Sequence, residues 1–137
     1  MRIGVIGSMQ HTEKLLDLCN KLNELGHTAF CSSLTAPLVG KTDDEKETIK
    51  LDQKYHQDAI RSFWRQMQGA DAVLMANYDK HGQKNYVGGN AFLELGFAHV
   101  LDQKIFFLND IPENPYYQTE IIAMKPVILH GDLRKII

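Results

Sequence analysis

Glu94 is the only charged side chain in the run Val87-Gly-Gly-Asn-Ala-Phe-Leu-Glu-Leu-Gly-Phe-Ala-His-Val-Leu101. Apolar residues at 91–93, 95, 97, 98, 100 and 101 surround this segment instead of lining one side of it, the pattern of a helix buried on most faces. A carboxylate in such a helix must find partners or stay protonated, because burying an unpaired charge costs at least several kcal/mol. Gly88-Gly89, just upstream, can form a turn that brings backbone N–H groups close to a ligand. Glu94 is therefore either a working carboxylate at a ligand site or a structural one bonded to a neighbouring loop.

Other residues could share that site. Asn90 lies four residues before Glu94, on the same helix face, and can donate to the carboxylate, bind a substrate hydroxyl or cap the helix. Tyr86 can stack on a base or close its loop. Gly7-Ser8-Met9 follows the first apolar run, where backbone N–H groups and the Ser8 hydroxyl could hold a phosphate or a sugar hydroxyl; a tight turn capped by Ser8 or Thr12 is the plain alternative. Gly4-x-x-Gly7-Ser8 lacks the third glycine of a dinucleotide fingerprint and the lysine of a P-loop. Asn77 ends an apolar run. Asp79, Lys80, His81 and Lys84 read as a solvated loop, and Asp58 as an exposed position on a helix that could reach the site only with a particular placement.

The elements that must position these groups follow from periodicity. Short apolar runs at 2–6, 27–31, 71–77, 104–108 and 126–129 read as strands. Between them come a helix from Thr12 to Leu25 closed by Gly26, one long helix from Asp44 to about Gln68, the Glu94 helix and a short helix near 118–124. Alternating strands and helices predict a single α/β domain over 1–137. It should be a three-layer sandwich whose five-stranded parallel sheet has the flavodoxin-like order 2-1-3-4-5. Ligands of such sheets bind beyond the carboxyl ends of the strands. That rim gathers Gly7-Ser8-Met9, Asn77 with the 78–90 loop, Asn109-Asp110 and Glu94.

Composition narrows the partners. A net charge of −2 with no clustered Lys/Arg stripe argues against a nucleic-acid polymer. No apolar run approaches membrane-spanning length, and residues 1–7 are too short for a signal peptide. Cys19 and Cys31 read as small packed thiols in a reducing cytoplasm. The six histidines have no Cys or acidic neighbours at ligand spacing, so a metal site is not expected. Tyr55, Phe63, Trp64 and Met67 exceed what one small sheet can cover, which suggests a homodimer or higher homo-oligomer.

Ala70-Asp71-Ala-Val-Leu-Met-Ala-Asn77, a polar loop, and Gly88-Gly-Asn-Ala-Phe-Leu-Glu94-Leu-Gly-Phe-Ala98 together resemble the nucleoside 2-deoxyribosyltransferase-like proteins, as does the opening strand with Gly7-Ser8. The resemblance implies that Glu94 is a nucleophile attacking C1′ of a 2′-deoxynucleoside or its 5′-monophosphate. A carboxylate beside C1′ stabilises an oxocarbenium-like sugar and captures it covalently, and water or a second base then resolves the intermediate, chemistry that requires no metal or organic cofactor. Asn90 and Ala91 stand where the family carries Thr, and residues 62–69 lack the acid that many members place before the Ala-Asp strand. Asp58 is then the second-acid candidate, with Gly7, Ser8, Met9, Asn77, Tyr86, Gly88, Gly89 and Asn90 shaping the pocket. A non-catalytic nucleotide-binding module on the same fold is the alternative.

Overall fold

A computed structural model describes residues 1–137. Five strands, β1 (Arg2–Gly7), β2 (Thr28–Phe30), β3 (Ala72–Ala76), β4 (Lys104–Phe107) and β5 (Val127–Ile128), form one all-parallel sheet in the order 2-1-3-4-5. The expected fold class is the observed one. Five helices accompany the sheet: α1 (Thr12–Glu24), α2 (Asp43–His56), α3 (Ala59–Gln66), α4 (Gly89–Val100) and α5 (Gln118–Ala123).

The two-residue period of the strands divides the core between the two faces. Ala72, Leu74 and Ala76 of β3 join Ile3 and Val5 against Leu15, Leu18 and Leu22 of α1. Val73 and Met75 join Ile6 and Phe107 against Phe63 and Met67 from α3 and its end, Leu95 and Ala98 of α4, and Ile121 of α5. Each sheet face thus buries the apolar stripe of its own helices, giving three layers. Gly7 permits the close approach where β1 leaves the sheet. A Cβ there would sit 3.0 Å from the Ala76 carbonyl oxygen and 3.1 Å from Leu15.

The long helix expected over 44–68 is two helices. The chain breaks at Gln57-Asp58, and Asp58 takes a left-handed conformation with φ of 49°. A short polar side chain tolerates that region better than most. The break separates two jobs. α3 lays Phe63 on the sheet, whereas α2 packs against α3 and against the short 3-10 turns at Met9–His11 and Ala36–Leu38. A capping box fixes the start of α2: Thr42 Oγ1 accepts from Glu45 N, and Glu45 accepts from Thr42 N. Tyr55, Ile60 and Trp64 are exposed, while Phe63 and Met67 are core.

Candidate functional site

A cavity of about 160 Å³ opens at the carboxyl end of β1, and most of the expected site residues converge on it. Gly7, Ser8, Met9, Tyr86, Gly88, Gly89, Asn90 and Glu94 all line it. Its remaining walls come from the segment after β2 (Ser32, Leu34, Thr35), from α2, and from Lys80 in the loop after β3.

Glu94 lies in the second turn of α4, with Ala91, Leu95 and Ala98 of the same helix buried around it. The side chain is 7% exposed and its carboxylate has no hydrogen-bond partner in the protein. The structural alternative, a Glu tied to a neighbouring loop, is therefore not what the fold builds. Burial alone, with no compensating charge, pushes the carboxyl up to about 8. Asn90, at the second position of α4, neither caps the helix nor bonds Glu94; the cap position belongs to Gly88, which makes no side-chain bond. The N–H groups of Gly89, Asn90 and Ala91 consequently have no acceptor within the protein, and they lie in the wall of the cavity. An uncapped helix N-terminus of this kind favours negative charge nearby. Gly88 also makes room for Tyr86, since a Cβ there would stand 3.2 Å from the Tyr86 ring.

Of the loop residues read from the sequence as solvated, Asp79, His81 and Lys84 are exposed and Lys80 is half-buried, in a hairpin. Lys80 and Gln83 exchange backbone hydrogen bonds across a turn whose His81 and Gly82 have φ of 54° and 70°, and Tyr86 N donates to Tyr78 O. The hairpin aims Lys80 inward. Its ammonium donates to Ser8 Oγ at 2.7 Å and lies 5.3 Å from the centroid of the Tyr86 ring.

α2 contributes residues that the sequence reading missed: Lys50, Gln53 and Lys54. Its inward face is polar. Lys46 and Gln53 are buried, and Lys50, 13% exposed, pairs with Glu47 at 3.2 Å. The Lys46-Lys50-Lys54 spacing of four was legible as one helix face, but a solvated charged stripe has the same spacing.

Two expected site residues are placed elsewhere. Asn77 is fully buried beyond β3 and outside the cavity wall, with its amide engaged by the loop after β4. Asp58 points toward Arg61, 3.3 Å away, and does not line the cavity. Glu94 is then the one carboxylate among the lining residues. No group of His, Cys, Asp and Glu side chains has the arrangement of a metal site. No helix is long and apolar enough to cross a membrane. Set against known protein families, curated proteins and solved structures, the chain matches none.

Proposed function

We propose that this protein cleaves or exchanges the N-glycosidic bond of a 2′-deoxynucleoside or its 5′-monophosphate, with Glu94 as the nucleophile. The observation that carries this reading is a buried carboxylate with no protein partner, set in a cavity wall beside three unclaimed backbone N–H groups. Desolvation keeps Glu94 largely neutral near pH 7. Positive charge developing at C1′ reverses that balance, so the ionised carboxylate is favoured most where the sugar is most oxocarbenium-like. Glu94 gives up its proton and its carboxylate bonds to C1′ as the glycosidic electron pair leaves with the base, and the released proton passes through solvent to the base. Water or an incoming base attacks the glycosyl ester and frees Glu94.

A second reading, a nucleotide-binding module without turnover, draws on the placement of Asp58. With that carboxylate turned to Arg61, no second acid in the cavity wall is available to protonate the leaving base. Hydrogen-bond donors among the lining residues are the hydroxyls of Ser8, Ser32, Thr35 and Tyr86, the amides of Gln53 and Asn90, and the lysines.

Base release decides between the two readings. Wild type and Glu94→Gln would be incubated with each 2′-deoxynucleoside and each 5′-monophosphate, with and without a free acceptor base, and the products separated chromatographically. Release by wild type alone supports the enzyme. Ligand-induced thermal stabilisation without release supports the binding module.

Self-association and a cytoplasmic setting belong to the same proposal. Ile60 and Trp64 of α3 and Leu93 and Val100 of α4 are exposed apolar side chains on two helices packed together, which supports a homo-oligomer that sedimentation would reveal. The thiols of Cys19 and Cys31 are free and 2.9 Å apart, in keeping with a reducing compartment.

A further inference from the structure

Three ammonium groups reach one small cavity from two separate elements: Lys50 and Lys54 from α2, and Lys80 from the hairpin after β3. Like charges gathered in this way repel, and together with burial Lys50 and Lys54 hold the Lys80 ammonium below its ordinary lysine range. The nearby acids offset only part of this. Glu47 pairs with Lys50, and Asp43 acts on Lys80 only through space. Lys54 has no acidic partner within the protein, and Lys80 is spent on a hydroxyl and an aromatic ring. Of the three, only Lys50 has a paired carboxylate, so Lys54 and Lys80 stand as a local surplus of unpaired ammonium groups. Ser8 and the open N-terminus of α4 add donors to the same cavity.

We propose that Lys50, Lys54, Lys80 and Ser8 form a subsite for a phosphomonoester dianion, so that the ligand is a 5′-phosphorylated deoxynucleoside and not the free nucleoside. The charge matches: a phosphomonoester carries about −1.5 to −2 at pH 7, which the surplus neutralises. Lys50 and Lys80 act here as point charges in a partly desolvated setting, where each is worth more than on an open surface. With the phosphate held by the lysines, the glycosidic reading places the sugar toward Glu94, which lines the same cavity.

This assignment rests on the glycosidic reading for the identity of the sugar, but the two can fail separately. Isothermal titration of the full chain would compare the four 2′-deoxynucleoside 5′-monophosphates, the matching nucleosides, 2-deoxyribose 5-phosphate and inorganic phosphate. The monophosphate of the preferred base should bind at least about tenfold more tightly than its nucleoside, as charge-assisted hydrogen bonds require. That ratio should shrink with added sodium chloride and again in Lys80→Met and Lys54→Gln. Lys54 is exposed, so Lys54→Gln tests the charge without disturbing the core. Equal affinity for nucleoside and monophosphate, a ratio unchanged in both variants, or no binding by any compound would overturn the subsite. Inorganic phosphate binding as tightly as the monophosphate would overturn the ester assignment in favour of a free-ion site. Phosphate-dependent binding with no base release would instead sink the glycosidic reading and leave the subsite standing.

Discussion

Asn77 and Asn109 clasp each other across the carboxyl ends of β3 and β4. Asn109 N donates to Asn77 Oδ1 at 2.9 Å and Asn109 Nδ2 to Asn77 O at 3.3 Å, while Asn77 Nδ2 donates to the carbonyls of Asn109 and Asp110 at 3.1 and 2.8 Å. The clasp engages both amide hydrogens and the amide oxygen of Asn77 within the protein, and it fixes the exit of two central strands. Asn77→Ala should therefore destabilise the fold by about 1–3 kcal/mol, because buried backbone groups lose their partners. The shift in urea midpoint would be measured. Weakened nucleotide binding at unchanged stability would instead restore Asn77 to the site.

Glu94 should make stability pH-dependent in a direction unusual for a carboxylate. Its folded-state value, near 8, lies above the ordinary value of 4.5. Between these two values the folded chain holds a proton that the unfolded chain has released, so stability falls as pH rises from about 4.5 to 8 and then levels. Glu94→Gln removes the cost of ionisation. The variant should be more stable than wild type at pH 8 by on the order of a few kcal/mol, and nearly equal to it at pH 4. Thermal melts of both proteins across that interval would show whether the difference grows with pH.

The same group should shape the rate. If the ionised form of Glu94 is the nucleophile, kcat/KM for base release rises with pH and levels above about 8, in step with the free enzyme's carboxyl. A rate that declines through pH 8 would mean that the protonated form does the work, and Glu94 would be an acid and not a nucleophile.

Gly7→Ala should cost about 1–3 kcal/mol, because its methyl group would press on a backbone carbonyl that cannot move aside. A calorimetric melting temperature would register this. An unchanged melting temperature would show that β1 and β3 can part without loss.

Asp58→Asn should retain base release, since the carboxylate faces Arg61 outside the cavity. Asn also tolerates the left-handed backbone. Loss of activity with an intact fold would identify Asp58 as the missing second acid.

The sheet and the position of Glu94 could be read from the chain alone, because both rest on local pattern. Apolar runs bounded by turn residues mark strands wherever they occur, and their alternation with helical periods admits few parallel topologies. An acid ringed by apolar residues behind Gly88-Gly89 has only a few places to go, and the rim of that sheet is one of them. Asn77 shows the limit of such reasoning. Its position on the rim was legible, but its partner lies 32 residues away on the next strand's exit, and no local pattern reports that the amide is already taken.

α2 shows the limit more sharply. Periodicity carried one helix through Asp58, because a single left-handed residue leaves the hydrophobic period almost unbroken. Only the tertiary structure bent the chain there and set α2 against the turns flanking the cavity, with a polar face inward. Hydropathy cannot separate a lysine stripe facing water from one facing a ligand, since both are polar and helically spaced. The difference lies in what is packed opposite, and here that is Ser8, Tyr86 and the far wall that holds Glu94.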